Sequence, residues 1–246
     1  MKLIEAFLTQ NPCYTAGRKL AKVQGLMLHS VGCPQPSAQV FVKNWNSPSH
    51  NSSCVHAFVD GNDGTVYQTL PWDHRGWHGG GNSNNTHIGV EMCEPACIRY
   101  TGGANFTCSD LTSARAVARR TYESAVELFA MLCEQFALNP LGDGVILSHK
   151  EGHARGIATN HGDPEHLWSQ LGMPYTMDSF RKAVKAKMDE KKLDNAPAAW
   201  SKESVEWAIN FGLMAGDERG DLMLRSPLTR EQFCVMLKRY HNTFHK

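Results

Sequence analysis

The sequence contains no long apolar run. No stretch of its 246 residues approaches the roughly 20 consecutive apolar residues that a transmembrane helix requires. The N-terminal segment 1–12 also lacks the apolar core of a secretory signal peptide, because Glu5 interrupts its one apolar patch. We therefore expect no membrane span and synthesis in the cytoplasm without a signal peptide.

The sequence also lacks an excess of charge of either sign. Lysine and arginine total 25 against 24 aspartates and glutamates, which gives a formal net charge of +1. Because nucleic-acid-binding surfaces are strongly basic, nucleic acid is not an expected partner. The length of 246 residues and the 41% hydrophobic content fit a globular protein with one sizeable domain, or a medium domain and a small one.

The paired cysteine spacing of a structural zinc knuckle is missing as well. The chain has eight cysteines, of which Cys93 and Cys97 form a CxxxC pattern. In a reducing cytosol we expect most of these thiols to be free and partly buried. A disulfide formed after release, among Cys93, Cys97 and Cys108, is an alternative.

What the sequence does have is a concentration of histidines in segment 146–168, where four histidines and Asp163 lie among glycines. This composition suits a metal-lined loop better than a packed helix. His149 follows an apolar run, as does His29 after residues 25–28, so both are predicted at strand ends. Each histidine alone would more often be a surface or hydrogen-bonded residue. Together with Asp163 they supply the three protein ligands that catalytic zinc commonly takes.

Apolar, β-branched runs predict a sheet around these residues. Runs 55–59 and 65–70 are separated by the turn sequence Asp60-Gly-Asn-Asp-Gly64, which predicts a hairpin. Segment 86–93 predicts a central strand. Glu91 lies within that strand, and a carboxylate there is costly to bury without a purpose, so Glu91 is a candidate general base.

Helices are predicted where apolar residues recur at spacings of three and four. Residues 38–45 form one such helix, residues 111–138 form a long amphipathic helix, and residues 179–192 form a basic helix that closes the first domain. Segment 1–23 is interpreted as a surface arm, and segment 94–109, with its glycines and proline, as a long loop near the cleft.

Several segments resemble, in order, the zinc-dependent N-acetylmuramoyl-L-alanine amidases shared by bacterial and phage lysins and animal peptidoglycan recognition proteins. The resemblance extends over about residues 20–190, and the ordered set is more specific than any one segment. The segments that carry it are Leu28-His29-Ser30, His56-Ala-Phe-Val-Asp60 with Asp63-Gly-Thr-Val-Tyr67, Gly76-Trp77-His78-Gly-Gly80, Ile88-Gly-Val-Glu91, and His149 with Asp163-Pro164.

The resemblance implies an α/β fold with a central mixed β-sheet flanked by helices. It implies Zn²⁺ held by His29, His149 and Asp163, with Glu91 as a catalytic residue. His161 stands where the family often has lysine, a cation suited to the oxyanion of the tetrahedral intermediate, and we assign His161 that catalytic role. The site would then be sensitive to pH.

Three further residues are candidates for substrate contact. Trp77 and His78 lie beside a glycine run and could line a cleft, although such a pair is more often structural. His56 points from a predicted strand, where a core role is as plausible as substrate contact. Val55 departs from many relatives, which have tyrosine just before this histidine, and this puts a tyrosine-assisted mechanism in doubt.

The implied function is hydrolysis of the amide between N-acetylmuramic acid and L-alanine in peptidoglycan, as in an endolysin or autolysin acting on the cell wall after release. One alternative is a recognition module that binds peptidoglycan without cutting it. Another is a purely structural zinc, closed by a fourth protein ligand such as His153 or His161.

The C-terminal part is predicted to be a separate module. The domains expected are 1–192 (catalytic), 193–199 (linker) and 200–246, an all-α unit with helices at 202–211 and 232–240. This unit resembles an S-layer homology repeat, which binds secondary cell-wall polymers. Such repeats usually occur in threes and carry a proline that is missing near Leu224, so an oligomer that assembles a fuller site is a further hypothesis. The residues that carry this resemblance are Trp207-Ala208, Gly212-Leu213, Gly216-Asp217 and Leu228-Thr229-Arg230.

Overall fold

The computed structural model describes residues 1–218 and 220–245, with the side chains of 191–194 excluded. Within these residues the chain forms two compact units, Met1–Lys185 and Ala186–Lys246. The strands are β1 (Leu3–Glu5), β2 (Gly25–Ser30), β3 (Ala57–Val59), β4 (Val66–Gln68), β5 (His87–Met92), β6 (Ile98–Gly102), β7 (Asn105–Cys108) and β8 (Ile146–Ser148). The helices are α1 (Pro12–Thr15), α2 (Ala38–Trp45), α3 (Leu111–Gln135), α4 (His149–Ala154), α5 (Glu165–Gln170), α6 (Met177–Asn195), α7 (Lys202–Asn210) and α8 (Arg230–Phe244).

Six strands form one mixed sheet in the order β1-β4-β3-β5-β2-β8. All neighbours are parallel except β3 and β4, which are antiparallel. With its flanking helices, this sheet confirms the predicted α/β class. The carboxyl ends of β2, β5 and β8 meet at one edge because these strands are parallel, and such an edge is where open α/β sheets place their ligands.

The core of the first unit lies between the sheet and its helices. All six residues of β2 are buried, as expected for a central strand covered on both faces. Helix α3 presents a buried stripe that includes Tyr122 and Phe129, and Phe180 of α6 packs edge-on against both rings, at centroid distances of 5.4 and 5.1 Å. These contacts hold α3 and the start of α6 together beside the sheet.

Most predicted elements of this unit are confirmed. The hairpin appears as β3 and β4, paired with Ala57 opposite Gln68 and Val59 opposite Val66. The central strand is β5, and the helix at 38–45 is α2. The long helix α3 ends at Gln135, three residues before the predicted end, because Ala137 takes a positive φ of 53°.

Three predictions for this unit were wrong. The arm at 1–23 contains β1, an edge strand of the sheet that is too short to show a periodic pattern. The loop at 94–109 contains the hairpin β6–β7, whose turn uses Gly103 at φ 54°. The stretch around His149 is not all loop, because Ser148 and Glu151 form a capping box that starts α4. The Ser-x-x-Glu pattern could have predicted this helix.

The second unit contains α7 and α8, close to the helices predicted at 202–211 and 232–240. Thr229 caps α8, and its hydroxyl accepts a hydrogen bond from the Gln232 amide at 3.1 Å. At the other end of α8, Phe244 stacks on Trp207 of α7 with a centroid distance of 6.0 Å. This ring contact ties the two helices together.

The boundary between the units stays a prediction. Helix α6 runs to Asn195 and therefore includes the first residues of the predicted linker 193–199. The side chains of 193 and 194 lie outside the described residues. Among the helices that the structure describes, none combines the length and the apolar character needed to cross a bilayer.

Candidate metal centre

Three side chains converge at the sheet edge where β2, β5 and β8 end. His29 is the fifth residue of β2, and His149 follows β8 directly as the first residue of α4. Asp163 comes from the loop before α5, and its Oδ2 faces the Ser30 amide at 3.4 Å. His29, His149 and Asp163 therefore form one cluster, in which one ligand atom from each lies within 4.8 Å of the others.

The donor atoms of this cluster are close enough to share one ion. The two Nδ1 atoms of His29 and His149 are 3.1 Å apart. The Asp163 carboxylate lies 3.3 Å from Nδ1 of His29 and 3.6 Å from Nδ1 of His149. Zinc bonds of about 2.0–2.1 Å at tetrahedral angles separate neighbouring ligand atoms by about 3.3 Å. The residues present thus fit a zinc ion in both donor chemistry and spacing.

A chain of hydrogen bonds fixes the tautomer of His29. The backbone carbonyl of His87 can only accept, so Nε2 of His78, 3.0 Å away, carries the proton that is donated to it. Nδ1 of His78 is then an acceptor, and it receives the Nε2 proton of His29 at 3.0 Å. Neutral His29 is left with a lone pair on Nδ1, directed at the cluster. Such outer partners commonly orient metal ligands.

The tautomer of His149 is fixed in the same way. The hydroxyl of Thr159 donates to the Gly79 carbonyl at 3.2 Å, so its oxygen accepts from Nε2 of His149 at 3.1 Å. His149 therefore also presents an unprotonated Nδ1 to the cluster. Sequence reasoning missed Thr159, since nothing distinguishes it from the other polar residues of this segment.

Charges around the cluster favour a bound cation. Burial works against ionisation of Asp163, but its hydrogen bond with a protonated His29 and the nearby imidazoles outweigh burial and hold the pKa of the carboxyl below its ordinary value. Against burial, the same hydrogen bond and the charges of Glu91 and Asp163 raise the pKa of His29, so a bound cation would displace the proton that His29 otherwise carries on Nδ1. Burial lowers the pKa of His149 to about 4, so this ring is neutral at physiological pH. A neutral imidazole and an ionised carboxylate are the forms that bind zinc.

Glu91 stands next to the cluster on β5, opposite His29 in the strand register. Its Oε2 is buried without a hydrogen-bond partner among the described residues. Burial raises the pKa of Glu91 to about 8, against the lowering effect of His29 and with a smaller increase from Asp163 and Glu94. A carboxylate with a free oxygen and a pKa near neutrality is suited to accept and return a proton.

A buried acid network lies on the other side of the cluster. The Tyr100 hydroxyl donates to Oε2 of Glu94 at 2.7 Å and lies 2.7 Å from Nε2 of His166. Oε1 of Glu94 accepts from the Gly32 amide at 3.2 Å. Burial raises the pKa of Glu94 to about 7. No sequence pattern predicted this network, because Glu94 and Tyr100 lie in the segment interpreted as loop.

The two histidines considered as a fourth ligand lie away from the cluster. Nδ1 of His153 faces the Ala158 carbonyl at 3.3 Å. Nδ1 of His161 is 3.1 Å from Nε2 of His149, the nitrogen on the far side of that ring. Within the described residues, the group that could hold a metal consists of His29, His149 and Asp163 alone.

The three residues predicted to contact substrate have different surroundings. His56 is fully buried, with Nε2 donating to the His74 carbonyl at 2.8 Å and Nδ1 accepting from the Gly89 amide at 3.0 Å. Both ring nitrogens of His78 are also used, as described above. The ring nitrogens of both histidines thus bond within the protein, and their contact with substrate stays a prediction. Trp77 is 46% exposed, and its substrate contact stays a prediction.

Gly89 makes room for the His78 ring. A Cβ atom at this position of β5 would lie 2.3 Å from Cγ of His78. Asn84 holds the same loop from the other side, since its Oδ1 accepts from the amides of His78 at 2.8 Å and Gly79 at 2.9 Å. The position of the His78 ring therefore depends on the absence of a side chain at Gly89 and on the hydrogen bonds that Asn84 accepts from the backbone of the His78 loop. Sequence reasoning identified neither Gly89 nor Asn84.

Comparison with known proteins agrees with this geometry. Residues 19–166 match the family described as N-acetylmuramoyl-L-alanine amidase, Amidase_2. The chain belongs to this family. The matched segment contains His29, His149 and Asp163, which places the whole metal cluster inside the amidase domain.

A curated relative of this amidase-family chain is the N-acetylmuramoyl-L-alanine amidase CwlH of Bacillus subtilis (strain 168). The two are 45% identical over 60 residues, which is 23% of this chain and 22% of CwlH. The match thus spans less than a quarter of that relative.

Solved structures share the fold of the first unit. The Staphylococcus aureus hydrolase AmiA, in complex with its ligand, superposes with a TM-score of 0.58 and 20% identity, covering 76% of this chain and 83% of AmiA. The catalytic domain of XlyA superposes with a TM-score of 0.51 and 20% identity, covering 75% of this chain and 99% of that domain. These similarities confirm the amidase fold.

The positioning role of His78 can be tested through metal affinity. His78→Ala removes the acceptor for the Nε2 proton of His29 and frees that ring to rotate. We expect zinc affinity to fall about 10- to 100-fold, measured by competition with a chromophoric chelator. His153→Ala, which removes a nearby exposed histidine, is the matched control and should bind zinc like the wild type. Equal affinity of all three proteins would show that His78 does not position His29.

Proposed function

We propose that this protein is a zinc-dependent N-acetylmuramoyl-L-alanine amidase that cleaves the amide between N-acetylmuramic acid and L-alanine in peptidoglycan. The observation that carries the proposal is an open three-donor cluster of His29, His149 and Asp163 beside Glu91, whose Oε2 has no hydrogen-bond partner among the described residues. Three protein donors with a fourth position free are typical of catalytic zinc, whereas structural zinc is closed by four.

The cofactor and the residues would divide the work. Zn²⁺ held by the cluster would act as a Lewis acid toward the scissile amide. Glu91 would take the proton of the attacking water and deliver it to the leaving amine of L-alanine. His161 is exposed at the rim, and its ring packs edge-on against that of His149 with a centroid distance of 4.4 Å. Its Nε2, the nitrogen that does not face His149, would donate to the developing oxyanion.

The substrate and place of action follow from the family. CwlH is named for the same amidase activity, and AmiA is a hydrolase whose structure contains its ligand. Peptidoglycan is accordingly the proposed partner, with Trp77 as a platform at the rim of the site. The enzyme would act on the bacterial wall after release, in the manner of an endolysin or autolysin.

A non-catalytic recognition module is the second candidate, because the same fold can bind muramyl peptides without cutting them. Two features favour catalysis. The ligand set is complete, and the outer nitrogens of both histidines are held so that Nδ1 faces the cluster. A module that only binds would not need this arrangement.

Release of amino-terminal L-alanine from purified peptidoglycan tests bond and metal together. We expect new amino-terminal alanine without new reducing sugar, loss of this release with a chelator, and recovery with added zinc. The chelator would act by removing the ion that His29, His149 and Asp163 would hold, since these residues form the candidate metal group among the described residues. Binding of intact peptidoglycan with neither product would favour the recognition module.

The role of Glu91 is tested by removing its proton-carrying group while keeping its shape. Glu91→Gln should lower kcat by about two to four orders of magnitude, since positioned proton transfer contributes on that scale. Bound zinc, measured by metal analysis, should remain at one ion per chain. Glu123→Gln, an exposed acid on α3, is the control. Near wild-type activity of Glu91→Gln would remove Glu91 from the mechanism.

For the second unit we propose binding to a secondary cell-wall polymer, in line with its resemblance to an S-layer homology repeat, through assembly of several copies. The support is an apolar stripe on α8. Phe233, Leu237 and Tyr240 recur at spacings of four and three and are between 44% and 51% exposed. An exposed apolar stripe at helical spacing suits a helix that packs against a second copy.

Light scattering tests this assembly. The wild-type chain should have a mass above that of one 27.3 kDa chain. Leu237→Glu should return it to a monomer and weaken retention on wall sacculi, because a charge in the stripe opposes apolar packing. Lys238→Glu, beside it on the helix, should change neither. A monomeric wild type would contradict the proposal.

A further inference from the structure

A second site lies away from the metal cluster, in a surface pocket of about 140 Å³. Its lining includes the guanidinium groups of Arg18 and Arg75, the exposed ring of Trp77 and the half-buried thiol of Cys13. In the part of the chain that the structure describes, neither arginine forms an ion pair with a carboxylate. The pocket thus exposes two uncompensated positive charges beside a thiol.

Beneath Cys13 lies a second thiol. Cys54 is fully buried, and it belongs to the small core cluster against which Cys13 packs. Asn11 fixes this contact, because its side-chain amide donates to the carbonyls of Trp45 at 3.1 Å and Ser53 at 3.3 Å. The same side chain accepts from the Cys13 amide at 2.9 Å. The N-terminal segment is therefore held with Cys13 against the cluster that contains Cys54.

The two thiols differ in reactivity. The hydrogen bond from Cys54 lowers the pKa of Cys13 against the effect of burial, and the charges of Arg75 and Arg18 lower it further. That same hydrogen bond, together with burial, raises the pKa of Cys54 far above its ordinary value. Since the thiolate is the nucleophile, Cys13 is the reactive member and Cys54 the protected one.

We propose that this pocket is a thiol–disulfide exchange site, in which Cys13 attacks a small disulfide that carries carboxylates and Cys54 then closes a Cys13–Cys54 disulfide. The two guanidinium groups fit carboxylates of such a reagent, since arginine binds this group with paired hydrogen bonds. Arg75 donates from Nε to Asn85 at 2.6 Å and from one terminal nitrogen to the Gly76 carbonyl at 3.5 Å, and neither partner is an acid, so its charge remains available to a carboxylate.

The exchange is balanced with glutathione disulfide as the oxidant. The Cys13 thiolate attacks one sulfur of the reagent, which forms a mixed disulfide and releases one glutathione thiolate. Cys54 then loses its proton and attacks the sulfur of Cys13, which displaces the second glutathione. Two protein thiols are oxidised, one disulfide is reduced to two thiols, and the two protons pass to the released thiolates.

Other cysteines provide internal controls. Cys33 is also partly exposed, but burial raises its pKa to about 11, and the charges of Glu94 and Glu91 add to this effect. Cys97 and Cys108 contact each other in the β6–β7 hairpin, where burial raises the pKa of Cys97 and no arginine contributes. Only the Cys13 pocket combines a contacting thiol pair with adjacent cations within the described residues.

The test exposes the reduced full-length chain to glutathione disulfide, quenches with an alkylating agent at set times, and maps each cysteine by mass spectrometry. We expect a Cys13–Cys54 cross-link to form at least tenfold faster than any modification of Cys33. In the Cys54→Ala variant, the reaction should stop at a glutathione adduct on Cys13. Prior reaction of Cys33, or an adduct on wild-type Cys13 that never proceeds to the cross-link, would overturn the proposal.

The role of the cations is tested by comparing glutathione disulfide with bis(2-hydroxyethyl) disulfide, which has no charge. Arg18→Gln should slow modification of Cys13 about three- to tenfold more with the anionic reagent than with the neutral one at low salt. Lys22→Gln, the same charge change at an exposed residue outside the pocket, should leave the ratio of the two rates unchanged. Equal ratios for Arg18→Gln and wild type would exclude recognition of the carboxylates.

Discussion

The parallel pairing of β2 with β5 and β8 is the constraint on which the site depends. It brings the ends of three strands to one edge, so that His29 and Glu91 are neighbours across the ladder and His149 follows the third strand. The antiparallel β3–β4 pair lies farther along the same sheet and contributes no donor to the cluster. His29 and His149 are 120 positions apart in the sequence, and this strand pairing brings them close enough for their Nδ1 atoms to lie 3.1 Å apart. Asp163 is the exception, since it arrives on a loop and completes the set from outside the sheet.

Hydrogen bonds to the outer nitrogens of His29 and His149 orient the rings that the strands bring together. A strand places the Cα atom of a histidine, but it does not choose which ring nitrogen carries the proton. That choice is made by His78 and the His87 carbonyl for His29, and by Thr159 and the Gly79 carbonyl for His149. Both series of hydrogen bonds end on backbone carbonyls, which can only accept. The tautomers are therefore determined by groups that cannot themselves change their role.

The sequence predicted the sheet, the long helices and the three members of the metal cluster, because these depend on local apolar periodicity, on histidines at strand ends and, for Asp163, on the histidine- and glycine-rich composition of its segment. It did not predict β1, which has three residues and gains its stability from an existing edge, or the β6–β7 hairpin, whose strands are mostly exposed. For His56 it left a core role and substrate contact equally open, and the structure shows the ring buried with both nitrogens bonded. Strand alternation shows that a residue faces inward, but not which polar atoms satisfy it there.

Gly89 shows that the site depends partly on a strand position that has no side chain. The His78 imidazole occupies the volume that a methyl group would need on β5, and His29 leans on that imidazole in turn. A comparison restricted to the three cluster residues would therefore overlook a position that touches none of them. Transplanting this centre into another scaffold would require more than copying His29, His149 and Asp163, because the recipient strand would also need a residue without a side chain two positions before the counterpart of Glu91.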